Sequence, residues 1–201
     1  MQITFQSLAE AFAAMPAWEF VAVLFGIAYI LLAARESIWT WFFGFLSTLI
    51  YTILFWNGAL LSSALLNFYY MAMALYGYYL WSSGGIEDQT LQIRSLTLSM
   101  HSKIVAVGLI ASLLLGDLSS TYTDARYTYL DSFVMLFSMI ATWMLAKKIM
   151  ENWLYWIVVD SAAIWLYWKS GYLVTILLFA LYVILAFYGY RTWRKRLREY
   201  E

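Results

Sequence analysis

Hydrophobic residues fall into seven long runs separated by short polar segments, which is the pattern of a protein that crosses a membrane repeatedly. A helix needs about 20 mainly apolar residues to cross roughly 30 Å of hydrocarbon. The fourth run is the weakest, because its uninterrupted apolar part extends only from Ile104 to Leu115. The runs predict transmembrane helices at residues 17–34, 39–56, 60–81, 101–118, 128–146, 152–168 and 172–190.

The two ends of the chain repeat one another at a fixed distance of 112 residues. The sequence Tyr-Gly-Tyr at 76–78 recurs at 188–190, and Trp41 aligns with Trp153. Each repeat contains three predicted helices and one helix links them, so both repeats cross the membrane in the same direction. The same offset pairs Trp56 with Trp168, Trp81 with Trp193, Arg35 with Lys147, Ala34 with Ala146, and Glu19 with Asp131.

This 3+1+3 plan with parallel repeats predicts an all-α membrane protein that transports a small solute. Its substrate site is expected near the bilayer midplane, between the two halves. We expect a first three-helix repeat at 1–82, a connection with the linking transmembrane helix 4 at 83–127, a second three-helix repeat at 128–192 and a basic cytoplasmic tail at 193–201.

Basic residues predict the orientation. Of the 12 Lys and Arg residues, all except Arg126 and Lys169 fall on the side that holds the C-terminus. Because such residues concentrate in cytoplasmic loops, the N-terminus is predicted outside and the C-terminus in the cytoplasm of a multi-pass protein in the bacterial inner membrane. Residues 1–16 contain no Lys or Arg, so no cleaved signal sequence is predicted.

Composition excludes several functions. Charged residues make up 12% of the chain, against about a quarter in soluble domains, so lipid is the main solvent. A net charge of zero argues against a nucleic-acid partner. With no cysteine and one histidine, His101, the chain lacks the side chains of a thiol or metal enzyme, so neither enzymatic activity nor a metal or cofactor is predicted.

Polar side chains inside the spans identify a candidate site. A charged residue within the bilayer costs about 2.5–3.5 kcal/mol, so Asp160, eight residues into the sixth span, is expected to face the bundle interior. Asn152 and Trp156 share its helix face at i, i+4, i+8 spacing. Hydrogen bonding between helices is the alternative role for Ser47, Thr48 and Ser63. The predicted substrate-binding residues are Trp41, Thr48, Tyr51, Asn67, Tyr70, Asn152, Trp156 and Asp160.

These side chains suit a flat, cationic heteroaromatic molecule. Aromatic faces attract cations by about 0.5–2 kcal/mol each, a carboxylate supplies a counter-charge, and amides orient hydroxyl groups. Glu19 and Asp131 open equivalent spans. They are expected to form an acidic outer mouth or to stabilise helix N-termini, the second role being preferred.

Short motifs in both repeats resemble those of PnuC-type vitamin transporters. They lie at 18–19, 31–36, 38–44, 76–81, 130–132 and 147–153, with Trp156 following. The resemblance covers nearly the whole chain. It implies a SWEET-like 3+1+3 fold, facilitated diffusion of a vitamin, and trapping through phosphorylation by a cytoplasmic vitamin kinase.

The resemblance also bears on the substrate, which is nicotinamide riboside or thiamine in the transporters concerned. It places Asn152 and Trp156 in the site. Leu66-Asn67 stands where the riboside transporters carry Leu-Gln, and Asp160 stands where some members have Asn. These differences favour thiamine, with nicotinamide riboside as the alternative.

Other functional classes remain to be distinguished. An ion-coupled transporter would use Asp160 as its deep acid. A membrane receptor would bind ligand without transporting it. A homo-oligomer is a further open expectation.

Overall fold

The computed structural model describes residues 15–57, 61–83, 91–123, 127–170 and 173–200. The expected helix starts at 60 and 172, the N-terminal residues 1–14 and the basic residue Arg126 lie outside these ranges. Within them the chain forms seven helices: α1 (Ala17–Ala34), α2 (Trp39–Asn57), α3 (Leu61–Ser82), α4 (Leu98–Tyr122), α5 (Thr128–Ala146), α6 (Asn152–Ser170) and α7 (Leu173–Tyr200).

Five of these helices are long and apolar enough to cross a membrane, namely α1, α2, α4, α5 and most of α7. The other two, α3 and α6, have 22 and 19 residues but a lower hydropathy. The cause lies in their polar and aromatic side chains, such as Asn67 and Asp160. Of the seven predicted spans, five are therefore long and apolar enough to cross a membrane.

Two helices are longer than the hydrophobic runs predict. Thr97 caps the start of α4, its side chain accepting a hydrogen bond from the backbone N–H of Met100. At the other end of the chain, α7 continues through the basic residues from Arg191 onward. Neither Pro nor Gly follows Tyr190 to stop it, and Arg, Lys and Leu are good helix formers.

Six helices close into a ring, with the seventh outside it. In the described residues α1 packs on α2, α2 on α3, α3 on α5, α5 on α6, α6 on α7, and α7 back on α1. α4 packs mainly on α5, and its His101 also contacts the Tyr155 hydroxyl of α6 at 3.1 Å. The connection before it is fastened to the connection between α5 and α6, where Arg94 pairs with Ile149 and Glu151 accepts hydrogen bonds from Ser95 and Leu96.

The short connections make neighbouring helices antiparallel, so the ring has two ends. We call one the basic end. It brings together the connections at 35–38 and 147–151 and the segment 91–97. The opposite end holds the first turns of α1 and α5.

A tryptophan cluster fills the core at the basic end. Trp41 contacts Trp81 edge-on at 5.2 Å, and Trp153 contacts Trp193 edge-on at 5.5 Å. Trp41 and Trp153 each lie against a glycine. A Cβ added to Gly77 would come within 2.3 Å of Trp41, and one added to Gly189 within 2.6 Å of Trp153. The two contacts occupy positions 112 residues apart.

Candidate functional site

A layer of polar side chains crosses the middle of the ring. Tyr70, Asp160 and Tyr182 lie eight or nine residues from the starts of α3, α6 and α7, which is about 12–14 Å along each helix. Ser47 on α2 and Ser138 on α5 are buried at a similar depth. We call these five residues the midplane layer.

Asp160 is the charged member of this layer. Its residue is 3% exposed, and the described Lys, Arg and His residues form no ion pair with it. The groups that interact with it electrostatically are the phenols of Tyr70 and Tyr182. A buried carboxyl group without a cationic partner is costly in a membrane and usually has a function.

Tyr182 extends across the ring from α7 towards α1 and α2. A Cβ added to Gly26 would lie 3.0 Å from the Tyr182 hydroxyl and 3.5 Å from the Ser47 hydroxyl. Ser47 itself donates to the backbone carbonyl of Ala22 at 2.9 Å. Because Gly26 has no side chain, there is space beside it for the Tyr182 phenol. The sequence analysis missed Tyr182, although the 112-residue offset from Tyr70 points to it.

Tyr70 approaches the layer from the opposite side of the ring. Its phenol interacts with the Ser138 side chain of α5. The neighbouring Tyr69 donates to the backbone carbonyl of Met139 at 2.9 Å. These contacts hold the α3 tyrosines against α5, so the two phenols that interact with Asp160 come from opposite halves of the chain.

Two predicted site residues bond within their own helices. The Thr48 hydroxyl donates to the backbone carbonyl of Gly44 at 2.8 Å. The Asn67 amide donates to the backbone carbonyl of Ser63 at 2.9 Å. Both side chains are half-buried. The Thr48 hydroxyl and one Asn67 N–H are thus engaged within their own helices, whereas the alternative role weighed above for Thr48 was a bond between helices.

Three other predicted residues lie nearer the basic end. Trp41 is part of the tryptophan cluster, and Trp156 packs against the hydrophobic core that contains Trp41 and Trp153. Asn152 is fully buried and donates to the backbone carbonyl of Ile149 at 2.6 Å. Its Oδ1 atom has no hydrogen-bond partner within the described residues, nor do the indole N–H groups of Trp41 and Trp153. Buried polar atoms of this kind are rare and are free to bind a polar ligand.

Glu19 and Tyr51 connect the midplane layer with the opposite end of the ring. Glu19 lies half-buried in the first turn of α1 and interacts electrostatically with Tyr51 of α2, which in turn interacts with Tyr182. Asp131 is exposed in the first turn of α5. The two acids thus differ in environment, although both occupy first turns, where the helix dipole favours a negative charge.

Metal chemistry finds no support in the described ranges, which contain no group of three or more His, Cys, Asp and Glu residues that could hold a metal ion.

Comparison with known proteins decides the family. A family model described as nicotinamide mononucleotide transporter matches residues 16–195. The chain belongs to this family. Its members are membrane transporters rather than enzymes, and the resemblance of the short motifs to PnuC-type transporters is confirmed.

Relatives in the family include proteins named for different vitamins. The chain is 27% identical over 184 residues to the riboflavin/roseoflavin transporter RibM of Streptomyces davaonensis, covering 90% of this chain and 86% of that protein. It is 26% identical over 207 residues to the nicotinamide riboside transporter PnuC of Escherichia coli, with the same coverages.

The fold of the family is also known from a solved structure. The crystal structure of the vitamin B3 transporter PnuC superimposes with a TM-score of 0.77 at 22% identity, covering 98% of this chain and 88% of that one. The chain therefore shares its fold.

Proposed function

We propose that the protein transports a vitamin across the membrane by facilitated diffusion, and that nicotinamide riboside is its substrate. The observation that carries the proposal is Asp160, which is buried in the middle of a helix ring and interacts electrostatically with two phenols, in a chain of the nicotinamide mononucleotide transporter family. The pyridinium ring of the riboside is flat and positively charged, so it matches a carboxylate flanked by aromatic faces.

Nicotinamide riboside thus replaces thiamine, the substrate that the sequence favoured. The preference for thiamine depended on Asn67 being one methylene shorter than glutamine, yet the Asn67 amide donates to the Ser63 carbonyl of its own helix. The named relatives favour the riboside over thiamine. Riboflavin is the second candidate, because the RibM transporter is as similar to this chain as PnuC is.

The proposed contacts follow from the geometry. Asp160 neutralises the pyridinium, and the rings of Tyr70 and Tyr182 lie beside it. The free Oδ1 of Asn152 accepts a hydrogen bond from a ribose hydroxyl or the carboxamide, with Trp156 nearby on the same helix. Glu19 and Tyr51 lie on the path from the opposite end of the ring.

The repeat organisation is part of the same proposal. A 3+1+3 plan with α4 as the linking helix is supported by the ring, in which the last helix of each repeat packs on the first helix of the other. It is also supported by two residues with positive φ, Glu36 at 55° and Lys148 at 51°, which lie 112 positions apart. We propose that the basic end faces the cytoplasm, where a vitamin kinase phosphorylates the substrate and prevents its return.

Titration calorimetry on the purified protein with nicotinamide riboside, riboflavin and thiamine tests the substrate. The riboside is expected to bind most tightly. Preferential binding of thiamine would support the substrate that the sequence favoured. Preferential binding of riboflavin would indicate the same substrate as that of RibM. Binding of none of the three would exclude this substrate class.

A further inference from the structure

The two connections at the basic end meet through one residue from each repeat. Glu36 lies between α1 and α2, and Lys148 lies between α5 and α6, at equivalent positions of the 112-residue repeat. Both have a left-handed backbone conformation, which ordinary residues adopt only at a cost. The Lys148 ammonium lies 2.8 Å from the Glu36 carboxylate.

This ion pair is sheltered from solvent and has a third member. The side chains of Lys148 and Glu36 are 13% and 10% exposed. Arg196 of α7 donates to the other carboxylate oxygen of Glu36 and, at 3.2 Å, to the backbone carbonyl of Arg35. One carboxylate from the first half of the chain therefore holds two cations from the second half.

Two tryptophans join the halves again directly beside the ion pair. The Trp81 indole donates to the backbone carbonyl of Ala146, and the Trp193 indole donates to that of Ala33, both at 3.1 Å. The first bond runs from the first half to the second, and the other runs in the reverse direction. The Lys148 ammonium lies 4.8 Å from the centre of the Trp81 ring, so the charged and aromatic contacts form one unit.

We propose that Glu36, Lys148, Arg196, Trp81 and Trp193 form a latch that closes the basic end of the substrate path. The inference rests on the proposed transport function, since a carrier must open each end in turn. Opening this end separates the two halves and therefore breaks the ion pairs and both indole hydrogen bonds. Trp41 and Trp153, the other two members of the tryptophan cluster, contact Trp81 and Trp193 of the latch and block the path while the latch holds.

Cysteine labelling tests the latch, because the natural chain contains no cysteine. Thr142 on α5 is 4% exposed and lies one turn from Ser138, towards the basic end, which makes Thr142→Cys a reporter. The latch variants are Glu36→Asn and Lys148→Asn, because asparagine tolerates a positive φ and cannot form the ion pair. A membrane-impermeant maleimide is expected to label the reporter about tenfold faster in either variant, without substrate present.

The matched control is Lys147→Asn, which removes the neighbouring charge; that ammonium lies over the Tyr76 ring, 5.4 Å from its centre. It should leave the labelling rate unchanged. An unchanged rate in both latch variants overturns the proposal, as does an equal increase in the control. Arg196→Gln provides a third route if the connections do not tolerate asparagine. Vitamin binding by the unsubstituted protein is measured separately, so failure of the substrate assignment leaves the labelling result readable.

Discussion

At the scale of single residues, the midplane layer depends on a carboxyl group that lipid and protein alone do not neutralise. Asp160 is buried among phenols, which are dipoles rather than cations. In the proposed function, the cationic substrate supplies the missing charge. The energetic cost of holding this group in the membrane is then offset only while the substrate is bound.

Replacement of Asp160 by Asn should therefore weaken binding of the cationic riboside by about tenfold or more, because a charged hydrogen bond contributes about 1.5–3 kcal/mol. Titration calorimetry measures the affinity. Asp117→Asn is the control, since Asp117 is exposed near the end of α4. Equal affinities for both variants and the natural protein would remove Asp160 from the site.

Tyr182→Phe should reduce the affinity about fivefold, the usual effect of losing one hydrogen bond of about 1 kcal/mol. Tyr188→Phe, on the same helix but 43% exposed, should have no effect. Fluorescence or calorimetric titrations compare the two. A loss in both variants would point to general destabilisation of α7 instead of a contact by Tyr182.

Sequence reasoning reached Asp160 and Tyr70 but not Tyr182, and the reason is physical. A carboxylate within an apolar run is energetically costly and is therefore easy to recognise in the sequence. Tyr182 is one of 17 tyrosines in the chain, and tyrosine is common both at lipid interfaces and in protein interiors. Helical spacing also placed Thr48 and Asn67 on an inner face. It could not indicate that the carbonyl one turn earlier satisfies each of them.

At the scale of helices, close packing depends on glycine opposite tryptophan. Gly77 on α3 and Gly189 on α7 let the indoles of Trp41 and Trp153 lie against the helix backbone. Hydropathy predicted these helices well. It missed the extension of α7 to Tyr200 because helix propensity and the contacts of Trp193 and Arg196, rather than an apolar run, maintain its last turns.

Gly77→Ala should lower the stability by about 1–3 kcal/mol, since the new methyl group overlaps a rigid ring. The melting temperature of the purified protein reports the change. Leu75→Ala is the control, because Leu75 on the same helix is 62% exposed. Trp41→Phe combined with Gly77→Ala should recover part of the loss; no recovery would show that Trp41 is not the obstacle.

At the scale of the whole molecule, each of the two proposed repeats contributes three helices to the ring. The 112-residue offset predicts this division, and the proposal is supported by contacts of the last helix of each proposed repeat with the first helix of the other. The position of α4 outside the ring follows from its exposed apolar residues, such as Val107 and Leu114, which require lipid on most sides. No sequence periodicity specifies that it packs mainly on α5.

Facilitated diffusion predicts that uptake into liposomes stops when the substrate concentrations on the two sides are equal. Among the described residues Asp160 is the deeply buried acid, and the proposed substrate itself neutralises it. Initial uptake of radiolabelled riboside should therefore be the same with and without a proton ionophore. Accumulation above the external concentration, abolished by the ionophore, would establish the ion-coupled alternative.

The contact between Glu36 and Lys148 also bears on how such a chain arose. In a symmetric dimer of identical three-helix units, residues that meet on the two-fold axis are copies of one another, so like charges would face each other. Opposite charges become available there only after both units are encoded in one chain and diverge. The attraction between Glu36 and Lys148 is therefore one that a symmetric dimer of identical units could not contain.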